Sequence, residues 1–316
     1  MHLLGLLAGL AALYLGAEWL VRGAARLAAS LGVRPLVIGI TVVGFATSMP
    51  EVVVSTLAAF RGQTDTALGN IIGSSIANPG LILGIAALLS PLRSDLGLLK
   101  REGPVMVGVT VLVCGLAWTG VYTRWQGALL LAGLMVFLWF SLRWARREPP
   151  AVEAEFERLE ARRRLLLQEP RARQVRLIVV GLVLLGVGGH LLVTSALALA
   201  RRFGISEMVI AASLVAVGTS LPELATSIVA AARRQTDISV GNIIGSNIFN
   251  LLGVLGISAL VRPIPVSVSV RNFEMVWLLG FAAATLLVLR TGHRISRFEG
   301  AALLTAYAAF LFFLFR

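Results

Sequence analysis

The sequence predicts an all-α integral membrane protein, with ten transmembrane helices arranged as two inverted five-helix repeats. Three observations predict it. Of 316 residues, 57% are hydrophobic and only 14% charged, whereas soluble domains carry about a quarter charged residues. Apolar runs long enough to cross about 30 Å of hydrocarbon, roughly 20 residues each, recur along the whole chain. Finally, the chain repeats itself at a fixed offset. Position n matches n+172 without a gap from Thr47/Thr219 through Asn78/Asn250, and 19 of those 32 pairs are identical.

The N-terminal stretch "MHLLGLLAGLAALYLGAEWLVRGA" holds most of the first run, 2–28. It lacks a basic leading segment and outruns a signal-peptide core, so it reads as a retained helix. Glu18 precedes Arg22 by four residues, the spacing of an ion pair on one helix face. Runs 34–60 and 65–89 carry the first copy of the repeated motif, 43–78. Runs 103–119 and 123–143 complete a first half, 1–143.

The polar interval 144–173, "WARREPPAVEAEFERLEARRRLLLQEPRAR", reads as a solvated linker whose middle can form a short amphipathic helix. Its Arg cluster at 162–164 suits anionic lipid headgroups or a topology signal. Runs 174–200, 205–232, 237–260, 272–290 and 297–315 form the second half, 174–316, with the second motif copy at 215–250. Fainter matches at the same offset include Gly16/Gly188, Gly84/Gly256, Pro91/Pro263 and Glu102/Glu274. His190 falls where the first half has Glu18, and reads as a packing or hydrogen-bonding residue. Asp65 and Asp237, between the motif helices, read as N-caps.

A formal charge of +12 would suggest nucleic acid in a soluble chain. Here the basic residues lie between apolar runs, not in one patch, so they set topology instead. Most of the 28 Lys and Arg residues fall on the linker's side of the membrane. The positive-inside rule then puts the linker in the cytoplasm and both termini outside, in a prokaryotic plasma membrane. Five spans per half is an odd number, so the halves must be inverted. Inverted repeats are the architecture of secondary transporters, which hold substrate near the midplane where the halves meet. The single cysteine, Cys114, excludes an intramolecular disulfide.

The motif itself is costly in lipid. "VGFATSMPEVVVS" (43–55) and "VAVGTSLPELATS" (215–227) each place a glutamate and a proline within an apolar run, and intramembrane acids mark functional sites. Thr47, Ser48, Glu51 and Ser55 share one broad helical face. Pro50 cannot donate to the carbonyl of Ala46 and opens that turn. The second copy supplies Thr219, Ser220, Glu223 and Ser227, with Pro222 freeing the carbonyl of Gly218. The following helices open with "GNIIGSSIAN" (69–78) and "GNIIGSNIFN" (241–250). Ser74 and Asn78 share a face, as do Ser246 and Asn250. The pairs Gly69/Gly73 and Gly241/Gly245 have the spacing that lets membrane helices approach closely.

Every group so gathered is an oxygen ligand: carboxylate, hydroxyl, amide or backbone carbonyl. Hard cations such as Ca²⁺ and Na⁺ prefer that set, whereas Zn²⁺ and Cu⁺ prefer nitrogen or sulfur. A hydrolase is disfavoured, because no His-Glu-x-x-His is present and the serines have no intramembrane base besides these glutamates. A cation channel stays open on these residues alone.

The paired "TSMPE"/"TSLPE" and "GNIIGS" elements resemble the alpha-repeats of the sodium/calcium exchangers, in the prokaryotic branch of the calcium/cation antiporter superfamily. The resemblance covers nearly the whole chain. It implies a secondary antiporter exchanging Na⁺ for Ca²⁺ by alternating access, electrogenically. By motif, Glu51 and Glu223 would be central Ca²⁺ ligands that also serve Na⁺. Thr47, Ser48, Ser74, Thr219, Ser220 and Ser246 would line flanking Na⁺ sites, with backbone oxygens near Gly44 and Ala216. Asn78 and Asn250 would complete the cavity. The ions are substrates, the bilayer is the solvent, and neither a cofactor nor an obligate protein partner is implied. Amides at both 78 and 250, where some relatives carry an acid, argue against potassium dependence. The absence of an acid near Ser74 favours Na⁺ over H⁺, leaving a Ca²⁺/H⁺ antiporter as the alternative. The short linker has no room for the calcium-sensing domains of animal exchangers.

Overall fold

A computed structural model describes residues 2–33, 35–93, 101–145, 171–202, 216–291 and 294–314. Most of the linker, with its Arg cluster and the expected amphipathic segment, lies outside the described residues, as does the beginning of the run at 205–232. The described chain is helical apart from short turns and four two-residue strands.

Helix α1 is His2–Leu31, α2 is Pro35–Thr47 and α3 is Met49–Phe60. Helices α4, Thr64–Leu89, α5, Gly103–Ala117, and α6, Arg124–Ala145, follow. The second half contains α7, Arg171–Arg202, α8, Ala216–Thr219, and α9, Leu221–Ala232. It ends with α10, Thr236–Val261, α11, Val268–Arg290, and α12, Arg297–Leu314. Seven of these are long and apolar enough to cross a membrane, or eight if the bent pair α2–α3 counts as one span. Helices α5 and α9 are apolar but shorter.

Turns follow from residue type. Gly32, Gly62 and Gly120 adopt φ of +67°, +81° and +81° after α1, α3 and α5, the left-handed conformation that ends helices. The residue equivalent to Gly62 in the second half is Arg234, which takes the same conformation at φ 58° despite its side chain.

The predicted caps are corrected here. The N-cap positions of α4 and α10 are Gln63 and Gln235, and neither makes a side-chain cap. Asp65 and Asp237 are second residues of their helices, where a negative charge complements the helix dipole.

Helices α4 and α10 form the centre. In their most apolar stretches 78% and 89% of residues are buried, against 22–39% in the other long spans. The outer helices turn apolar stripes outward. Val175, Val179, Val183 and Val187, four apart on α7, are all exposed, as are Leu3, Leu7, Leu10 and Tyr14 on α1. An apolar exterior around a polar interior is the arrangement of a membrane protein.

Contacts between the halves come in exchanged pairs. Gly9 lies against the backbone of Gly188, and Gly16 against that of Gly181; each is the other's equivalent at the 172-residue offset. Strand β1, Leu92–Arg93, pairs with β4, Arg294–Ile295, and β2, Val121–Tyr122, with β3, Ile264–Pro265. Close approach is realised in the second motif copy. A Cβ on Gly241 would come 3.0 Å from the oxygen of Leu36, and one on Gly245 would overlap the carbonyl of Ile40. No described atom lies within 4 Å of a Cβ on Gly69 or Gly73, so close packing at the first copy is not seen among the described residues.

Candidate cation site

Both motif helices break at the same place. Ser48 (φ −80°, ψ 5°) separates α2 from α3, and Ser220 (φ −88°, ψ 6°) separates α8 from α9. A proline follows each break at the start of the next helix, where its missing N–H costs least. The α2–α3 bend is 42°. The break puts Glu51 and Glu223 in the first turns of α3 and α9, near helix N-termini whose dipoles favour negative charge.

Both glutamates are buried at 0% and 1% exposure, and each is held by the opposite half. Ser48 donates to Glu223 Oε1 at 3.1 Å, and Ser220 donates to Glu51 Oε1 at 3.2 Å. The two carboxylates are thereby tied across the boundary between the halves.

A second exchanged pair involves residues absent from the predicted set. Thr47 donates to Asn242 Oδ1 at 3.0 Å, and that amide donates to Ser227 at 3.1 Å. In the mirror arrangement Thr219 donates to Asn70 Oδ1 at 3.1 Å, and Asn70 donates to Ser55 at 2.9 Å. Each asparagine accepts a threonine proton from the other half. The asparagine of "GN" recurs in register in both copies, but recurrence alone does not say that it reaches the opposite half. Ser55 and Ser227, on the predicted motif face, are the anchors of these chains.

The other predicted residues converge as well. Ser246 donates to the carbonyl of Gly44 at 3.3 Å and lies 3.5 Å from the hydroxyl of Thr47. A Cβ on Gly44 would come 2.9 Å from the backbone nitrogen of Ser246, so the glycine permits this contact. Ser74, Asn78 and Asn250 are buried at 0–1% exposure. Asn78 and Asn250 each begin a wide turn within their helix, Asn78–Leu83 and Asn250–Val254; such turns are frequent at functional sites. Ala216 begins α8, and its side-chain surroundings lie outside the description.

Five side-chain oxygens in this region are buried without a hydrogen-bond partner: Glu51 Oε2, Glu223 Oε2, Ser74 Oγ, Asn78 Oδ1 and Asn250 Oδ1. Among the described residues no group of three or more His, Cys, Asp or Glu side chains is assembled. The arrangement is thus two carboxylates among hydroxyls and amides, suited to a hard cation.

Two residues noted at the equivalent position of α1 and α7 stand apart from this region. Glu18 is buried and pairs with Arg22, as its spacing predicts, and also with Arg233 at 2.7–2.9 Å. His190, expected to pack, is instead exposed on α7.

The family described as sodium/calcium exchanger protein matches residues 1–143 and 174–316. The inner membrane protein YrbG of Escherichia coli (strain K12) is 39% identical over 82% of this chain and 79% of its own. The sodium/calcium exchanger MaX1 of Methanosarcina acetivorans is 31% identical over 98% of this chain and 97% of its own. A solved structure of the sodium-calcium exchanger NCX_Mj, soaked with 2.5 mM Na⁺ and 0.1 mM Ca²⁺, superimposes with a TM-score of 0.84 at 30% identity, covering 98% of this chain and 96% of that one.

Proposed function

Because the chain belongs to the sodium/calcium exchanger family, we propose that it is a secondary active antiporter exchanging Na⁺ for Ca²⁺ by alternating access. One observation carries the reading: the five buried oxygens without partners. Each is costly in a dry interior unless something takes its lone pairs, and a desolvated cation does. Two carboxylates match the charge of one Ca²⁺. Glu51 and Glu223 are the central ligands in this reading, with Asn78 and Asn250 beside them. Thr47, Ser48, Ser74, Thr219, Ser220 and Ser246, with the backbone oxygens of Gly44 and Ala216, extend the set into flanking Na⁺ sites. The NCX_Mj crystals soaked with Na⁺ and Ca²⁺ support these ions as substrates.

The architecture proposed with it is ten spans in two inverted five-helix halves, 1–143 and 174–316, joined by the linker 144–173. The linker is cytoplasmic and both termini are outside, in a prokaryotic plasma membrane. The exchanged hydrogen bonds support such a pair, since each half offers the same groups to the other. Transport then consists of the halves trading conformations around a shared ligand set.

Reconstituted vesicles test the reading. Loaded with Na⁺ and diluted into Na⁺-free buffer, they should take up labelled Ca²⁺ and develop a membrane potential. Uptake driven by a pH gradient and indifferent to Na⁺ would assign proton coupling instead. Resolved unitary currents would assign a channel.

A further inference from the structure

One of the differences between the two halves of the candidate site, at residue 247, fixes one amide and leaves its equivalent loose. Residue 247 is Asn in the second half, and its equivalent in the first half is Ser75. Asn247 is buried at 3% exposure. Its Nδ2 donates to the backbone carbonyl of Ser75 at 3.2 Å, and its Oδ1 accepts from Asn78 Nδ2 at 2.9 Å. Met106 Sδ lies 3.8 Å from the same Nδ2.

A chain of obligations follows. A backbone carbonyl can only accept, so Asn247 must turn its Nδ2 toward Ser75. Its Oδ1 then faces Asn78, which must answer with its own Nδ2. Asn78 Oδ1 is left buried and partnerless, one turn from Ser74. The mirror arrangement does not form. Ser75 is too short to play the same part and bonds one turn back to the carbonyl of Ile71 at 2.8 Å. Asn250 accordingly has no partner for either Oδ1 or Nδ2.

We propose that Asn247 is a positioning residue that holds the Asn78 amide oxygen toward the transported Ca²⁺. It touches no ion itself and acts through Asn78. The role rests on the antiporter reading above. It makes the binding site asymmetric: one amide oxygen is pre-oriented, so no ordering cost falls on it when the ion arrives, while the Asn250 amide is free to turn.

The test is equilibrium binding of labelled Ca²⁺ to the purified full-length protein, with Asn247→Ser as the main variant. It gives the second half the residue that the first half already accommodates. Asn247→Ala is a second variant in case the first does not fold. Either should raise the Ca²⁺ dissociation constant about tenfold, the equivalent of one lost oriented contact. In an Asn78→Ala background the same substitution should change binding by less than about twofold, because its effect passes through Asn78. Unaltered affinity in the single variants would overturn the proposal, as would an equal loss in both backgrounds, which would mark a packing role. Failure of both variants to fold would also count as a packing role. Wild-type protein that binds no Ca²⁺ would overturn the antiporter reading together with this one.

Discussion

Ser48 and Glu223 are 175 residues apart in sequence, yet the serine hydroxyl lies 3.1 Å from the carboxylate. Ser220 holds Glu51 in the same way from the other side. Each acid therefore depends on a hydroxyl supplied by the opposite half. With Oε1 tied down, Oε2 of each is left facing the interior without a partner.

Glu51→Gln and Glu223→Gln should each reduce Na⁺-driven Ca²⁺ uptake by about two to three and a half orders of magnitude. Removing one charge from a buried, compensated set costs about 3–5 kcal/mol, and each 1.4 kcal/mol is tenfold. Flux measurement in vesicles checks this; near-normal flux in either variant removes that glutamate from the ligand set.

Asn70→Ala and Asn242→Ala should weaken Na⁺ more than Ca²⁺. Each removes the amide oxygen to which a threonine, Thr219 or Thr47, donates from the other half. A rise of roughly three- to tenfold in half-saturating Na⁺, with a smaller change for Ca²⁺, matches one hydrogen bond of about 1 kcal/mol. Equal shifts for both ions would refute the assignment to Na⁺.

Gly245→Ala should impair folding or transport severely, because its methyl meets the backbone of Ile40 and backbone cannot step aside cheaply. Gly115→Ala is the matched control on a helix face where nothing lies within 4 Å. Expression level and thermal unfolding in detergent should separate the two; similar behaviour would mean α2 and α10 are not in backbone contact.

Arg234→Gly should stabilise the protein. Arg234 is exposed and sits at φ 58°, where Gly62 sits in the first half. Relieving a left-handed non-glycine residue is worth about 1 kcal/mol. An unchanged or lowered unfolding midpoint would contradict it.

Glu18→Gln should lower the unfolding midpoint, since it leaves Arg22 and Arg233 facing a neutral group. Both arginines are about half exposed, 52% and 48%, so water offsets part of the loss and about 1–2 kcal/mol is expected. Combining Glu18→Gln with Arg233→Gln should cost less than the sum of the two changes. Strict additivity would show that the pair contributes nothing.

The motif residues were legible because their geometry is local. Thr47, Ser48, Pro50 and Glu51 lie within five residues of one apolar run, so they stay together even though the break at Ser48 puts Thr47 on α2 and Glu51 on α3. Asn70 and Asn242 were not, because their partners stand on other helices and an asparagine beside packing glycines carries no local mark of its role. The expected caps at Asp65 and Asp237 failed for a related reason. A cap depends on which residue leaves helical geometry first, and Gln63 and Gln235 do so.

By itself, then, the sequence determined the membrane class, the doubling at an offset of 172, and an oxygen-only polar set, because composition, repetition and helical periodicity are properties of the chain alone. Tertiary structure decided which half serves which. The pairings of Ser48 with Glu223, Thr47 with Asn242 and Asn78 with Asn247 arise only when helices from distant parts of the chain close on each other. The last of these also breaks the symmetry that the repeat implies, since one side chain at 247 can bridge two helices and the shorter one at 75 cannot.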